Sequence, residues 1–272
     1  MLSHLTSRAR GLAAKVAAGS LATLGLFAAP QAASAATYDY LLYLGIDIST
    51  SIDATEYALQ TQGYINAFSD AEVQARILSQ PNGVAIAMSQ WATTDSVFEL
   101  PFFTITDAAS YGNFQTALAA ALVRNNGSPC DIEGCSTGVA NAINTANSRI
   151  ATFRGAGNTA STQIIDISGD GEDNAGGNVP LARDAALTAG IQINGLPIGG
   201  ATITQYYIDN VVTGAPLPGF VTPANDFGDF DSAVKTKIKR EFSQVPGPLP
   251  LFGVAAAFGF SRRLRQRVKF SS

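Results

Sequence analysis

Two β-rich runs in this chain, the first of them apolar, each end abruptly in a polar loop that carries an aspartate. Tyr40 to Ile48 leads into Asp47-Ile48-Ser49-Thr50-Ser51, and Thr162 to Ser168 leads into Gly169-Asp170-Gly171-Glu172-Asp173-Asn174. A continuous apolar strand has no solvent face, so it must be covered on both sides, as strands of a parallel sheet are. Helical spacing fills the intervals, at Ala54 to Phe68, Ala108 to Leu122, Thr137 to Phe153, Val179 to Ala189, Ile203 to Val212 and Asp226 to Phe242. Further strands are expected at Val84 to Trp91, Val97 to Ile105 and Ile191 to Ile198, with a short one near Phe220-Val221-Thr222. The short link Thr93-Thr94-Asp95-Ser96 makes Val84–Trp91 and Val97–Ile105 an antiparallel pair at a sheet edge. The pattern predicts an α/β fold: a doubly wound, mainly parallel sheet with one antiparallel edge strand. Ligands of such sheets sit beyond the carboxyl ends of the strands, where both aspartate loops fall.

The ends of the chain have a different character. Arg8, Arg10 and Lys15 precede an apolar run from Val16 to Ala29, and Ala33-Ser34-Ala35 offers a small-x-small cleavage pattern. Residues 1–35 therefore read as a secretory signal cut before Ala36. The alternative is a short membrane helix that stays attached, but the run is shorter than the roughly 20 residues a span needs. At the other end, Val245-Pro246-Gly247-Pro248-Leu249-Pro250 breaks the chain. An apolar segment, Leu251 to Phe260, follows, and then Arg262, Arg263, Arg265, Arg267 and Lys269. Proline cannot continue a helix, so the folded domain is expected to occupy 36–244, with 245–272 as a separate sorting or anchoring segment. A frayed basic tail is the bland reading of that segment, and it leaves Leu251, Phe252, Phe258 and Phe260 without a core. In its order of parts the segment resembles PEP-CTERM sorting tails, with Gly247 standing where that family usually has Glu. The resemblance implies handling by cell-envelope sorting machinery and a final place at the cell surface, in an extracellular matrix, or anchored in the membrane.

Removing the two ends changes what the middle can bind. Of 17 basic residues three lie in the signal and five in the tail, leaving nine against all 21 acids. A domain of about 210 residues with that balance has room for one well-buried core and should repel phosphate backbones, so nucleic acid is not an expected partner. The one histidine, His4, lies in the signal. The exported domain therefore has no Ser-His-Asp or Cys-His nucleophile and no histidine ligand for zinc. Cys130 and Cys135 are close in sequence, and in an exported chain a local disulfide between them is expected to shape a small loop.

Asp47, Ser49 and Ser51 occupy alternate positions where the chain leaves a strand, so in extended backbone they converge on one side. One carboxylate with two hydroxyls is a hard-oxygen set suited to Mg²⁺ first, with Mn²⁺ or Ca²⁺ possible. Asp and Ser at such a place also serve as helix N-caps, and the pattern alone does not separate the two readings. Thr137 in Thr137-Gly138-Val139-Ala140-Asn141 can add a hydroxyl at the start of a helix, with Ser136 adjacent to it. Asp170 brings a second carboxylate to the same edge. Asp166 lies on the strand itself, buried against a neighbour or facing the site from behind. Glu172 and Asp173 read as solvated loop acids, and Trp91 as packing at a strand end.

The order Asp-x-Ser-x-Ser, then Thr, then Asp within Gly-Asp-Gly resembles the metal-ion-dependent adhesion site (MIDAS) of von Willebrand factor A domains. The succession of strands and helices is similar across nearly the whole middle of the chain. Within that superfamily it looks like a bacterial exported branch without an assigned function. The likeness rests on Ile52-Asp53-Ala54-Thr55-Glu56-Tyr57-Ala58-Leu59-Gln60, Ile165-Asp166-Ile167-Ser168-Gly169-Asp170-Gly171 and Ile193-Asn194-Gly195-Leu196-Pro197-Ile198. The resemblance implies that Ser49, Ser51 and Thr137 supply hydroxyl ligands to a divalent metal. Asp47 and Asp170 would hold it directly or through water. One coordination position would stay open for an acidic side chain of a partner protein.

Three functions are compatible with these residues. The first is an exported, metal-dependent adhesion module; the second is a metal-free structural matrix protein that kept the fold. The third, a carboxylate-dependent hydrolase using Asp47 and Asp170, fits less well. Asp47-Ile48-Ser49 matches the Asp-x-Asp start of haloacid-dehalogenase phosphatases only at its first residue, because Ser49 replaces the acid. A non-enzymatic role is therefore expected.

Overall fold

The computed structural model describes residues 35–93, 95–122 and 135–243, with the backbone alone for 95–99. The expected signal, Cys130 and the Pro-rich tail lie outside the described residues.

The centre of the fold is β1 (Thr37–Asp47), buried along almost its whole length. It pairs in parallel with β2 (Val84–Trp91) on one side and β4 (Thr159–Gly169) on the other. β5 (Gln192–Pro197) continues the sheet beyond β4, also in parallel. β3 (Asp95–Ile105) pairs antiparallel with β2 at the opposite edge, as the short link predicts. The strand order is β3-β2-β1-β4-β5.

Helices cover both faces, and the buried apolar residues divide accordingly into two clusters. On one face α1 (Ala54–Ser69), α2 (Ala71–Leu78), α3 (Ala108–Ala121) and α7 (Phe230–Glu241) pack over Leu42, Leu44, Ile46, Ile86 and Met88. On the other, α4 (Val139–Gly155), α5 (Val179–Thr188) and a π-helical turn (Tyr207–Val211) following the short α6 (Ala201–Tyr206) pack over Leu41, Tyr43, Ile165 and Ile167. Alternate residues of β1 thus feed opposite cores, which is why its sequence shows no polar period. Each aliphatic or aromatic side chain so buried contributes about 1.5–3 kcal/mol.

Local signals set most helix starts. Asp53 caps α1 by accepting from the amides of Thr55 and Glu56, while Glu56 accepts from the Asp53 amide at 2.9 Å. That reciprocal box is worth about 1 kcal/mol per cap. Asn178 caps α5, with Pro180 in its first turn.

Several elements differ from expectation. α2 was not visible as a separate helix. Asp70 ends α1 in extended backbone and at once caps α2 through the Glu72 and Val73 amides, so one residue both breaks and restarts the helix. The segment Ile203 to Val212 divides into α6 and the π turn. α7 starts at Phe230, after turns over 226–229. Phe220 to Thr222 forms no strand, only an isolated parallel bridge between Gly195 and Val221. β5 is thus the last strand of the sheet, partly covered by this irregular segment. Among the described residues, no helix is long and apolar enough to cross a membrane.

Candidate metal centre

β1 and β4 are neighbours, yet α1 leaves β1 toward one face and α5 follows β4 on the other. That divergence opens a crevice at the carboxyl ends of these two strands, the topological switch point of an open α/β sheet. Asp47 is the last residue of β1, and Asp170 follows the last residue of β4.

The structure brings all five candidate ligands to this crevice. Thr137 Oγ1 donates to Ser49 Oγ at 3.3 Å, Ser49 Oγ lies 3.1 Å from Ser51 Oγ, and Ser51 Oγ donates to Asp170 Oδ1 at 2.7 Å. Asp47 completes the group through Oδ1, which accepts the Ser49 amide at 2.8 Å. Its other oxygen, Oδ2, is buried and has no hydrogen-bond partner. Ser51 is exposed, Asp170 is half-buried, and Asp47, Ser49 and Thr137 are buried, so the cluster runs from the interior to the surface.

The means of convergence corrects one expectation. Asp47, Ser49 and Ser51 do not align along extended backbone, because β1 ends at Asp47. The Ser49 amide folds back onto the Asp47 carboxylate, and the Ile52 amide donates to the Ser49 carbonyl at 3.0 Å. A tight turn with a side-chain acceptor gathers the hydroxyls. Thr137 likewise precedes α4 and does not open it. Gly138 is the N-cap, and a Cβ there would lie 2.5 Å from the Ala92 carbonyl oxygen, so only glycine lets this loop pass so close to the end of β2.

Several residues hold the loops in place. The Gln60 amide donates to the Asp47 carbonyl at 2.8 Å, fixing the strand end from α1. Thr50 donates through Oγ1 to the Cys135 carbonyl at 2.7 Å, and the Thr137 amide donates to Asn174 Oδ1 at 2.7 Å. Cys135 is disulfide-bonded, and its expected partner Cys130 lies outside the described residues. Asp173 is not a free loop acid: its Oδ2 accepts the Ala140 amide at 2.9 Å in the first turn of α4, and its own amide donates to Tyr206 Oη. Glu172 is exposed, Trp91 is fully buried in the core, and Asp166 faces a neighbour under α7.

Tyr207 is the site residue that the sequence did not reveal. It lies on the π turn, fully buried, and its hydroxyl has no hydrogen-bond partner. A Cβ on Gly169 would be 2.7 Å from both Tyr207 Oη and Asp47 Oδ2, so only glycine leaves room there for the two orphaned oxygens. A π turn inside a helical run often marks a functional site, but no residue type in 201–211 announces one.

Electrostatics follow from burial. Desolvation, aided by the charge of Asp170, pushes the Asp47 carboxyl up to about 7. Asp170 is raised as well, chiefly by burial. Among the described residues, no ion pair reaches either acid. Nor is there, among them, a group of three or more His, Cys, Asp or Glu able to hold a metal. The donors here are two carboxylates and three hydroxyls, a set selective for a hard cation. An unpartnered buried carboxylate oxygen beside a second acid is the arrangement a cation would relieve.

Comparisons with known proteins agree with this architecture. Proximal thread matrix protein 1 from the mussel byssus superposes with a TM-score of 0.52 at 15% identity, over 76% of this chain and 47% of that one. Its form with a zinc-occupied MIDAS motif gives 0.50 at 14% identity, over 75% and 46%. The PilB minor pilin from Streptococcus sanguinis gives 0.53 at 10% identity, over 78% and 64%. The chain spans about half the length of the thread matrix protein. At such identities the likeness is one of fold, and the fold is von Willebrand factor A-like. No curated protein sequence matches the chain. A family model covers residues 37–246, most of the chain, and by that match the protein belongs to the family described as "Protein of unknown function (DUF1194)".

Proposed function

We propose that this chain is an exported binding module that engages an acidic side chain of a partner protein through a divalent cation. The observation that carries this reading is the unbroken contact chain Thr137–Ser49–Ser51–Asp170 beside the orphaned Asp47 Oδ2, at the switch point of the sheet. Ser49, Ser51 and Thr137 would offer hydroxyl oxygens, and Asp47 and Asp170 would hold the ion directly or through water. Mg²⁺ suits this set best, and Mn²⁺ and Ca²⁺ are compatible with it. The thread matrix protein of similar fold carries zinc at its own MIDAS motif. A bound cation supplies an open coordination position that accepts a carboxylate.

The residues around the site explain why the cation decides binding. Without it, two buried or half-buried acids confront an acidic partner and repel it. The asparagine, threonine and glutamine contacts fix both loops before any ligand arrives, so little ordering cost remains on binding. The matrix and pilus proteins that share the fold support an extracellular or surface role, as does the expected export signal. They also favour a binding or structural role over catalysis.

Calorimetric titration of the Ala36–Gln244 domain with Mg²⁺, Mn²⁺ and Ca²⁺, beside Asp47→Ala, tests the proposal. Saturable binding to the wild type, lost in the variant without loss of folding, is the expected result. A folded domain that takes up none of these ions, alone or with a carboxylate peptide, would leave a metal-free structural role as the better reading.

A further inference from the structure

A second polar cluster lies deeper in the same sheet, outside the metal centre. Asp166 in β4, Lys237 and Glu241 in α7, and Asn194 in β5 are all 0–1% exposed. Lys237 Nζ contacts Asp166 Oδ1 and donates to Glu241 Oε1 at 3.0 Å. The contact with Asp166 lies outside hydrogen-bond geometry, and both Asp166 oxygens are without a hydrogen-bond partner. Asn194 Nδ2 donates to Glu241 Oε1 at 2.9 Å and is itself held by Gln192, leaving Glu241 Oε2 without a partner. Two acids share one cation here, so full ionisation would leave an uncompensated buried charge.

We propose that Lys237 and Asp166 condense into an intramolecular isopeptide bond, with Glu241 as the proton carrier. The ammonium first gives a proton to the Asp166 carboxylate, producing the neutral amine and the neutral acid. Lys237 Nζ then attacks Asp166 Cγ. The N–C bond forms, a C–O bond breaks, and the leaving hydroxyl departs as water after Glu241 transfers a proton from nitrogen to oxygen. Glu241 ends in the protonated state in which it began. Nothing is oxidised or reduced, and no co-reactant is needed. Burial favours each requirement: it raises both carboxyl groups and excludes the water that would reverse the step. The bond would tie the last helix to β4, just before the Asp170 loop, and replace an unbalanced charge cluster with a neutral amide.

The test is a tryptic digest of the reduced, full exported protein, read by mass spectrometry. The expected result is a peptide pair carrying Asp166 and Lys237, one water lighter than the sum of its parts, with Lys237 protected from cleavage. Glu241→Gln, folded by circular dichroism, should yield the unlinked peptides, and Lys237→Arg should yield no linked pair. A wild-type digest in which linear peptides account for Asp166 and Lys237, with normal cleavage after Lys237, overturns the proposal and leaves a buried ion-paired cluster. That digest decides the matter even if a variant fails to fold.

Discussion

Two pairs of acids, each with one member in or just after β4, are treated oppositely by the fold. Asp166 of β4 and Glu241 of α7 both contact Lys237 and are sealed from solvent. Asp47 and Asp170 lie at the strand ends, surrounded by hydroxyls, with no ion pair among the described residues. Taking an ion out of water costs several kcal/mol after relaxation, so a buried acid needs a cation from somewhere. The inner pair is folded against one from its own chain, Lys237, whose charge the proposed condensation with Asp166 would remove. The outer pair is arranged to receive one from solution, which is the functional reading proposed above. The same residue type is structural in one place and a candidate ligand in the other because of where its counter-charge comes from.

Removing the internal cation should give the largest effect. Lys237→Ala strands two buried acids and is expected to cost about 3–5 kcal/mol in urea unfolding. Asp47→Ala in the metal-free domain should cost far less, since removing a buried acid repelled by Asp170 offsets the lost hydrogen bond from the Ser49 amide. Equal losses from both would break the comparison.

The next effect is a pH dependence. The Asp47 carboxyl is raised from 3.8 to about 7 in the folded state, so between these values the unfolded chain has released a proton that the folded one retains. The metal-free domain is therefore most stable at the acid end, loses on the order of a few kcal/mol as pH rises through this window, and levels off above it. Glu241, raised to about 7, adds a loss of the same sign. Asp47→Asn should abolish only the metal centre's share, as should saturating Mg²⁺ in the wild type. Denaturation midpoints at pH values on either side of the window measure both. A profile unchanged by Asp47→Asn would assign the whole dependence to the inner cluster.

Geometry around the outer pair gives a sharper, smaller contrast. Gly169→Ala places a methyl 2.7 Å from Asp47 Oδ2 and Tyr207 Oη and should lower metal affinity by about tenfold or more. Gly112→Ala meets nothing within 4 Å in α3 and should stabilise by up to about 1 kcal/mol without touching affinity. The smallest expected effect is Tyr207→Phe. Removing an unpartnered hydroxyl should change stability by less than about 1 kcal/mol. Metal affinity should change by no more than a few-fold, because the hydroxyl makes no hydrogen bond to Asp47. Isothermal titration of both variants checks these values, and an unaltered Gly169→Ala would remove Asp47 Oδ2 from the ligand set.

How much was legible in the sequence depended on the range of the interaction. The transition at Asp47 could be read because a buried parallel strand writes an unbroken apolar run, and that at Asp170 because a β-rich run ends in a Gly-rich polar loop. The edge pair β2–β3 could be read because its connection is short. α2 is hidden because Asp70 does two jobs within one periodic stretch, and Phe220–Thr222 reads as a strand because a short apolar run does not reveal its pairing. Asp173 passed as a solvated acid although it caps a helix whose start lies more than thirty residues earlier.

The sequence by itself determined the alternation of elements, the residues that can face two cores, and the hard-oxygen chemistry of Asp47, Ser49, Ser51, Thr137 and Asp170. Those properties are local, set by backbone period and side-chain type. Only the tertiary structure decided that Asp166 meets Lys237 while Asp170 meets Ser51, that Tyr207 Oη and Asp47 Oδ2 both border Gly169, and that a turn gathers the hydroxyls. Burial and counter-charge are properties of packed neighbours from distant parts of the chain, and no local pattern encodes them.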